Sequence, residues 1–530
     1  MKFSLLRSSR KLTWFYLGME WSLLFGVFAL FGSWMVPEVN EPHYLMKAKH
    51  YWHPEYLKND FFLQSSATHT VFYWAYGWLT TILTLPAAAW IGRISIWALL
   101  SLGWLKFIRT FTPRPGLPLL TCILFLGGIE HLQLAGEWLM GGVEAKCYAY
   151  CFVLFALSSI SRRRWVSAWP LLGLASAFHV LVGGWATLSA IISWIFCDRR
   201  CSSFIRMFPW LIVGGIIALF GLFPALQTMQ SENLQEVADA NYIYVFRRLS
   251  HHLYWPSFPQ IFHYRHWTAW ILWALLFSFT LFSKQKRRAY SIRIRRIQWM
   301  VLTSLGFSCV GVLIPYLLPA DSFWVSGLLK YYWFRLSDIF LPLGLSIGCL
   351  SILLMRNQSV SYWKPIFLTI LWILAFGCLG DRIFQRIQQE VPRAYRGSEQ
   401  AAFEDWKEAC AWIKINTPED AVFLTPRMNA TFKWYAQRAE VVNMKDVPQD
   451  ATSVNEWWDR IRTIHYEKHY KVWLPSLSYR HEEQLKWLAD KYNADLLITE
   501  NRFPKKLPIL YQNQSFIVYE VPRGKYFFPK

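Results

Sequence analysis

Between Trp34 and His69 the chain gathers Glu38, Glu41, His43, His50, His53, Asp60 and His69 into one polar stretch. It opens Pro37-Glu38-Val39-Asn40-Glu41-Pro42-His43-Tyr44-Leu45-Met46-Lys47-Ala48 and continues through Asn59-Asp60-Phe61-Phe62. Carboxylates and imidazoles are the side chains that exchange protons near neutral pH. Transfer of a group to a hydroxyl needs a base on that hydroxyl; Glu41 fits the role, with Asp60 as the second choice, and His43, Tyr44 and His69 stand close enough to help bind a substrate. A plainer reading competes: Glu41 beside Pro42 favours the first turn of a helix.

Further clusters have the right chemistry. In Lys330-Tyr331-Tyr332-Trp333-Phe334-Arg335-Leu336-Ser337-Asp338, the Arg335 fork suits a phosphate, or it pairs with Asp338 one helical turn on. Glu137, Glu144 and Lys146 surround Gly141-Gly142, as a binding group or as polar decoration of an interface. His179, ahead of Gly183-Gly184-Trp185, sits in an apolar run where ionisable groups are costly. His251-His252, His263 and His266 lack a carboxylate at helical spacing, so no metal site is read from them. No cofactor is expected, and a role for a divalent metal is left open.

The elements that must position these residues are membrane helices. The chain has 530 residues, of which 54% are hydrophobic and 18% aromatic, with 31 Trp. Apolar runs of spanning length recur from Thr13 to about Gly380, and none follows. Two domains are expected: a transmembrane domain over 1–380, with an outer loop and juxtamembrane helices over 37–88, and a polar domain over 381–530. The net charge of +21 comes from short Lys/Arg clusters between apolar runs, the pattern of cytoplasmic loops and not of a nucleic-acid face. The nine Cys form no disulfide framework or zinc spacing; Cys147/Cys151 and Cys197/Cys201 read as helix or loop neighbours. Lys2, Arg7, Arg10 and Lys11 precede an apolar run with no small-residue cleavage site, which reads as an uncleaved first span.

Charge orders the helices. With the N-terminus cytoplasmic, the first span (13–36) delivers the acidic loop to the outer side. Val71–Leu85 is short, aromatic and stopped by Pro86, so it lies in the interface, and the second span runs over 88–110. Arg162-Arg163-Arg164, Asp198-Arg199-Arg200, the run from Lys284 to Arg296, and Arg356 with Lys364 then all face the cytoplasm. Segment 165–197 reads as two helices broken at Gly183-Gly184. The count is about eleven spans, which puts the C-terminal domain outside with the acidic loop. In that domain 400–415 and 482–492 read as helices, and 421–425, 494–499 and 515–521 as strands, giving a small α/β layer without a phosphate loop, serine elbow or metal motif.

The segment Glu41-Pro42-His43-Tyr44-Leu45-Met46-Lys47-Ala48, followed by a short helix and by Ala87-Ala88-Ala89-Trp90-Ile91-Gly92-Arg93, resembles the GT-C superfamily of membrane glycosyltransferases, in the branch of protein O-mannosyltransferases and aminoarabinose transferases. That branch reads Asp-Glu-x-x-Tyr with a small residue four positions on. The resemblance covers the first 110 residues and the general plan, and it places the family's catalytic Asp on Asn40, which cannot act as a base. Phe423-Leu424-Thr425-Pro426-Arg427 and Thr431-Phe432-Lys433-Trp434-Tyr435-Ala436-Gln437-Arg438, with Asp60-Phe61-Phe62-Leu63, also resemble bacterial multi-span proteins carrying a domain of unknown function.

The resemblance implies a mainly α, GT-C-like bundle with a small C-terminal α/β domain in a bacterial inner membrane. It implies transfer of a sugar from a polyprenyl-phosphate donor to an acceptor on the outer face, with Arg335 on the phosphate and the C-terminal domain as acceptor platform. The partners expected are membrane lipids and that donor, with no nucleic acid and the acceptor undefined. Two alternatives stand beside it: a non-enzymatic scaffold presenting the outer domain, and a transporter or flippase using the His179 region. The orientation predicts that alkaline phosphatase fused after residue 530 is active and that a cytoplasmic fluorescent protein fused there stays dark; the reverse pattern overturns it.

Overall fold

The structure is a computed structural model and describes residues 2–200, 204–228, 233–282, 289–319, 323–355, 362–397 and 399–522. Cys201, Lys284 and Arg356 lie outside the described residues. The protein is mostly helical, with a small C-terminal sheet domain. Among the described residues seven helices are long and apolar enough to cross a membrane: Trp14–Gly32, Leu85–Ile108, Val180–Cys197, Phe204–Gln227, Ile292–Leu317, Arg335–Leu354 and Lys364–Ile387. This is a multi-pass membrane protein. The shorter apolar helices Leu117–Leu132, Ala145–Ser161 and Trp165–Phe178, with Gln260–Phe282, fill out the bundle. Arg335–Leu354 is buried along almost its whole length and forms the bundle's centre. Phe204–Gln227 buries only Met207, Gly214 and Gly221 and turns Ile205, Phe208, Ile216, Phe220 and Phe223 outward, as a lipid-facing helix does. Lys364–Ile387 runs through the expected 380/381 boundary, so the domain border falls after Ile387.

Local chemistry explains two departures from the sequence reading. Val71–Leu85 contains no spanning helix, as expected, but it is broken into Thr70–Phe72, a wide turn over Tyr73–Gly77, and Leu79–Ile82, with Leu85 already in the next long helix, Leu85–Ile108. Segment 165–197 is two helices, but the break falls at His179 and not at the glycine pair. His179 takes extended dihedrals (φ −150°, ψ 103°), and its Nδ1 accepts from Val182 N at 3.4 Å, capping the second helix. Gly183 serves the same joint differently: a Cβ there would stand 2.1 Å from Ser176 N, so only glycine lets the two half-helices close on each other.

The C-terminal domain carries a five-stranded sheet, ordered β2-β1-β5-β7-β6, built from β1 (Val422–Leu424), β2 (Ala439–Glu440), β5 (Leu496–Glu500), β6 (Ile509–Gln512) and β7 (Phe516–Glu520). A separate hairpin pairs β3 (Tyr466–Glu467) with β4 (Val472–Trp473). β1 runs parallel to β2 and β5, while β7 is antiparallel to β5 and β6. The pleat sends Phe423, Leu496, Ile498 and Val518 against Trp406 and Ile413 of helix Gln400–Asn416. Val422, Leu424, Leu497 and Tyr519 go to the other face, against Trp457 and Ile461 of Ala451–His465 and Leu485 of Glu482–Tyr492. Both faces are covered, which explains the short continuous apolar strand sequences.

This domain is clasped to the loop after the first span by one buried cation. The Lys433 ammonium lies 2.7 Å from Glu440 Oε1, 2.8 Å from Asp446 Oδ2 and 3.4 Å from Asp60 Oδ2. Asp60 also accepts from Leu63 N at 2.9 Å and from Glu440 N at 3.1 Å, crossing from loop to domain. Burial opposes both charges, but the Lys433 charge holds Asp446 far below the usual carboxylate range, while the carboxylates hold Lys433 well above the usual lysine range. Burial pushes Glu440 up, so it takes a proton more readily than Asp446. With Asp446 depressed and Lys433 raised, their contribution is at full strength above about pH 4 and below about pH 10, and acid weakens it as Asp446 protonates. Lys433→Met leaves three buried carboxylates without their cation and should destabilise the docked domain by about 3–5 kcal/mol. Thermal unfolding in detergent, with limited proteolysis, measures this; an unchanged midpoint and digestion pattern would refute it.

Candidate functional site

A cavity of about 390 Å³ opens where the loop after the first span, the loop after Leu132, the His179 break, the segment Leu234–Leu253 and the C-terminal domain meet. His43, Tyr44, His69, Glu144, Lys146 and Arg335 all line it. Glu41 and Asp60 do not.

Glu41 is fully buried and its carboxylate is fully engaged. Arg93 grips it bidentately, Nε to Oε1 at 2.7 Å and Nη2 to Oε2 at 2.6 Å, while Val143 N and Glu38 N donate to it at 3.1 and 2.8 Å. Gly142, at φ +124°, is needed beside it, because a Cβ there would stand 2.8 Å from Glu41 Cγ. Asp60 is equally buried, as the cap of Phe61–Gln64 and a member of the Lys433 cluster. Both of the residues expected as the base are thus engaged in holding the loop, and neither lines the cavity. Asn40, one residue earlier, does face the cavity, but an amide cannot take a proton.

The group with proton chemistry is His43. Its Nδ1 lies 3.1 Å from Asp446 Oδ1, its side chain keeps 16% exposure, and it lines the cavity. With Nδ1–H donating to the carboxylate, Nε2 is left with the free lone pair. Burial lowers the His43 pKa while Asp446 opposes that fall, so the ring is neutral and able to accept. The sequence reading assigned His43 to binding; Asp446 was missed because no local signal joins residues so far apart in the chain.

The remaining groups form a line along the wall. Tyr44 hydroxyl lies 3.4 Å from His69 Nε2, the His69 and His179 rings are 5.2 Å apart, and His179 Nε2 is 3.3 Å from Arg335 Nη1. Burial lowers the His69 pKa to about 3, keeping that ring neutral. Arg335 donates through Nε to Glu137 at 3.1 Å and stacks 3.8 Å over Tyr332. Lys146 stands 3.4 Å from Glu137, 3.6 Å from Glu144 and 4.0 Å over the Trp138 ring, and Trp138 donates to Glu144 at 2.9 Å. The interface-decoration reading of Glu144 and Lys146 fails, since both are buried. Arg335 does not pair with Asp338, whose carboxylate instead accepts from Leu134 N, Ala135 N and Glu137 N at 2.8, 2.9 and 3.2 Å, fixing the loop that carries Glu137. His252 and His266 bond through Nδ1 to the carbonyls of Ala135 and Leu132.

Arg248 and Lys445 complete the wall on the side of the C-terminal domain, and Leu222, Ala225 and Leu226 of the lipid-facing helix give it an apolar edge. Neither Arg248 nor Lys445 carried a sequence signal, because the cavity exists only once the domain docks.

A family model described as a domain of unknown function (DUF6798) matches residues 404–464. No curated protein matches the chain. Among solved structures the chain is similar to an oligosaccharyltransferase of Archaeoglobus fulgidus in complex with zinc and sulfate, at 12% identity and a TM-score of 0.41, over 91% of this chain and 67% of that one. It is likewise similar to the archaeal oligosaccharyltransferase AglB of that organism in complex with an inhibitory peptide and a dolichol-phosphate, at 12% identity and a TM-score of 0.41, over 92% of this chain and 69% of that one. Both have the GT-C fold, but a likeness this slight transfers nothing from them to this chain.

The Glu41–Arg93 pair yields a prediction opposite to that for a base. Glu41→Gln should cost stability, on the order of 3–5 kcal/mol, by leaving Arg93 buried with half its partner. The thermal midpoint and folded yield in detergent check this; a protein of unchanged stability would return Glu41 to consideration as a catalytic group.

Proposed function

We propose that the chain is a membrane glycosyltransferase that moves a sugar from a polyprenyl-phosphate donor to a hydroxyl acceptor at the outer face of a bacterial inner membrane. The observation that supports this reading is the two-sided cavity: the end of a lipid-facing helix supplies Leu222, Ala225 and Leu226, and Arg335 and Lys146 stand within the same space. An apolar chain entering from the bilayer and a phosphate ending on cations is the shape of a lipid-linked phosphate. Glu137 occupies the Nε of Arg335 and His179 lies against its Nη1, so the guanidinium offers an anion its Nη2.

In this reaction the acceptor oxygen attacks the anomeric carbon and the bond from that carbon to the phosphate oxygen breaks. The phosphate leaves with the bonding pair, onto Arg335 and Lys146. The hydroxyl proton passes to His43 Nε2, and Asp446 stabilises the imidazolium that forms. The C-terminal domain supplies Asp446 as well as a surface for the acceptor.

His43→Gln should lower transfer by about a hundredfold or more, the loss typical of a missing general base, while leaving polyprenyl-phosphate binding intact. Arg335→Lys should weaken that binding, because an ammonium cannot reproduce the fork. Binding to protein in nanodiscs and transfer from a polyprenyl-phosphate sugar are the measurements. Normal turnover in His43→Gln would remove it as the base, and absence of polyprenyl-phosphate binding in the parent protein would overturn the reading.

A further inference from the structure

The cations around the cavity fall into two groups that differ in what neutralises them. Arg335 and Lys146 are matched by Glu137 and Glu144. Arg248 and Lys445 also line the cavity, yet among the described residues neither makes an ion pair within 4.0 Å. Arg248 donates through Nη2 to the Lys445 carbonyl at 3.4 Å, which ties the two backbones' elements together without cancelling charge, and its Nε is buried without a hydrogen-bond partner. Arg396, in the linker beyond the last span, adds a third positive charge that bears on both.

The surroundings hold these charges in place. Asn443 Oδ1 accepts from Lys445 N at 2.8 Å and Asp446 N at 2.9 Å, and Asn443 Nδ2 donates to Asp446 Oδ2 at 2.9 Å. The turn therefore fixes consecutive residues in different tasks: Asp446 on His43 and Lys433, and Lys445 in the cavity wall. The charged and titratable groups that act on Lys445 are Arg248, Arg396, Glu144 and Asp446, and His251 lies within reach on the helix Ser250–Leu253. Burial, Arg248 and Arg396 together bring its pKa down to about 7. Crowded like charges in a partly buried wall are relieved by loss of a proton or by an anion that shares them.

Taking sugar transfer as the reaction, we propose that Arg248 and Lys445 bind an anionic group, phosphate or carboxylate, on the acceptor, and thereby bring its hydroxyl to His43. The two pairs of cations share one cavity but have different neighbours. Arg335 lies against His179, with Leu181 and Leu226 in the same wall, whereas Lys445 adjoins Asp446, which bonds His43. An anion at Lys445 favours its charged form, so binding takes up a proton and weakens as pH rises through 7.

The test uses the full-length protein in nanodiscs, saturated with polyprenyl phosphate, and titrates it with sulfate, an anion whose own charge does not change between pH 6 and 8. Sulfate should bind alongside the lipid, with affinity falling up to about tenfold from pH 6 to pH 8. Lys445→Met should abolish the pH dependence and weaken sulfate binding, and Arg248→Gln should weaken it, both with polyprenyl-phosphate binding retained. Competition between sulfate and polyprenyl phosphate would overturn the proposal by assigning the cluster to the donor. Sulfate binding that is absent, independent of pH in the parent, or unchanged in both variants would overturn it as well. Loss of polyprenyl-phosphate binding in the parent is a separate result, which removes the transfer reading itself.

Discussion

The Lys433 ammonium is the contact on which the docking of the C-terminal domain depends. It joins Asp60 of the loop after the first span to Glu440 and Asp446 of that domain in a space closed to water. A buried ion cluster is weak evidence for net stability, because desolvation takes back much of the attraction, but it is strong evidence for geometry. Three carboxylates converge on one small ammonium only in a narrow range of positions, so the cluster sets where the domain sits. Asp446 then presents its second oxygen to His43, and the adjoining Lys445 reaches the cavity.

The cavity's charge is arranged in the same economical way. Glu137 lies between Arg335 and Lys146, so both cations are held near one spot without a net excess. The loop that presents Glu137 is fixed from below by Asp338, through backbone amides. This turns the core of the central helix into a foundation for the site. Among the described residues Arg248 and Lys445 form no such ion pair. A site with one balanced and one unbalanced pair of cations treats two anionic ligands differently even before their shapes are considered.

Much of the plan was legible in the sequence. Apolar run length and basic clusters exposed the membrane helices, alternating short strands exposed the C-terminal sheet, and six polar residues chosen for their chemistry converge on one cavity. What was hidden was hidden for identifiable reasons. The engagement of Glu41 could not be read because type and neighbourhood are local, while its partner Arg93 lies 52 residues on. The break in 165–197 was assigned to Gly183-Gly184 because glycine is the usual breaker, yet His179 makes it and Gly183 permits the packing around it. Asp446, Arg248 and Lys445 were invisible because a cavity between domains has no periodicity and no motif.

The sequence separation between Asp60 and Lys433 also imposes an order on biogenesis. A chain made from its N-terminus delivers Asp60 to its place well before Lys433 exists, with nearly all the membrane helices between them. Until then the loop's carboxylate must remain hydrated or protonated, since it cannot be buried as a lone charge. The loop after the first span is therefore among the first segments synthesised and among the last to reach its final form, and the cavity it borders closes only when translation has passed the turn at Asp446.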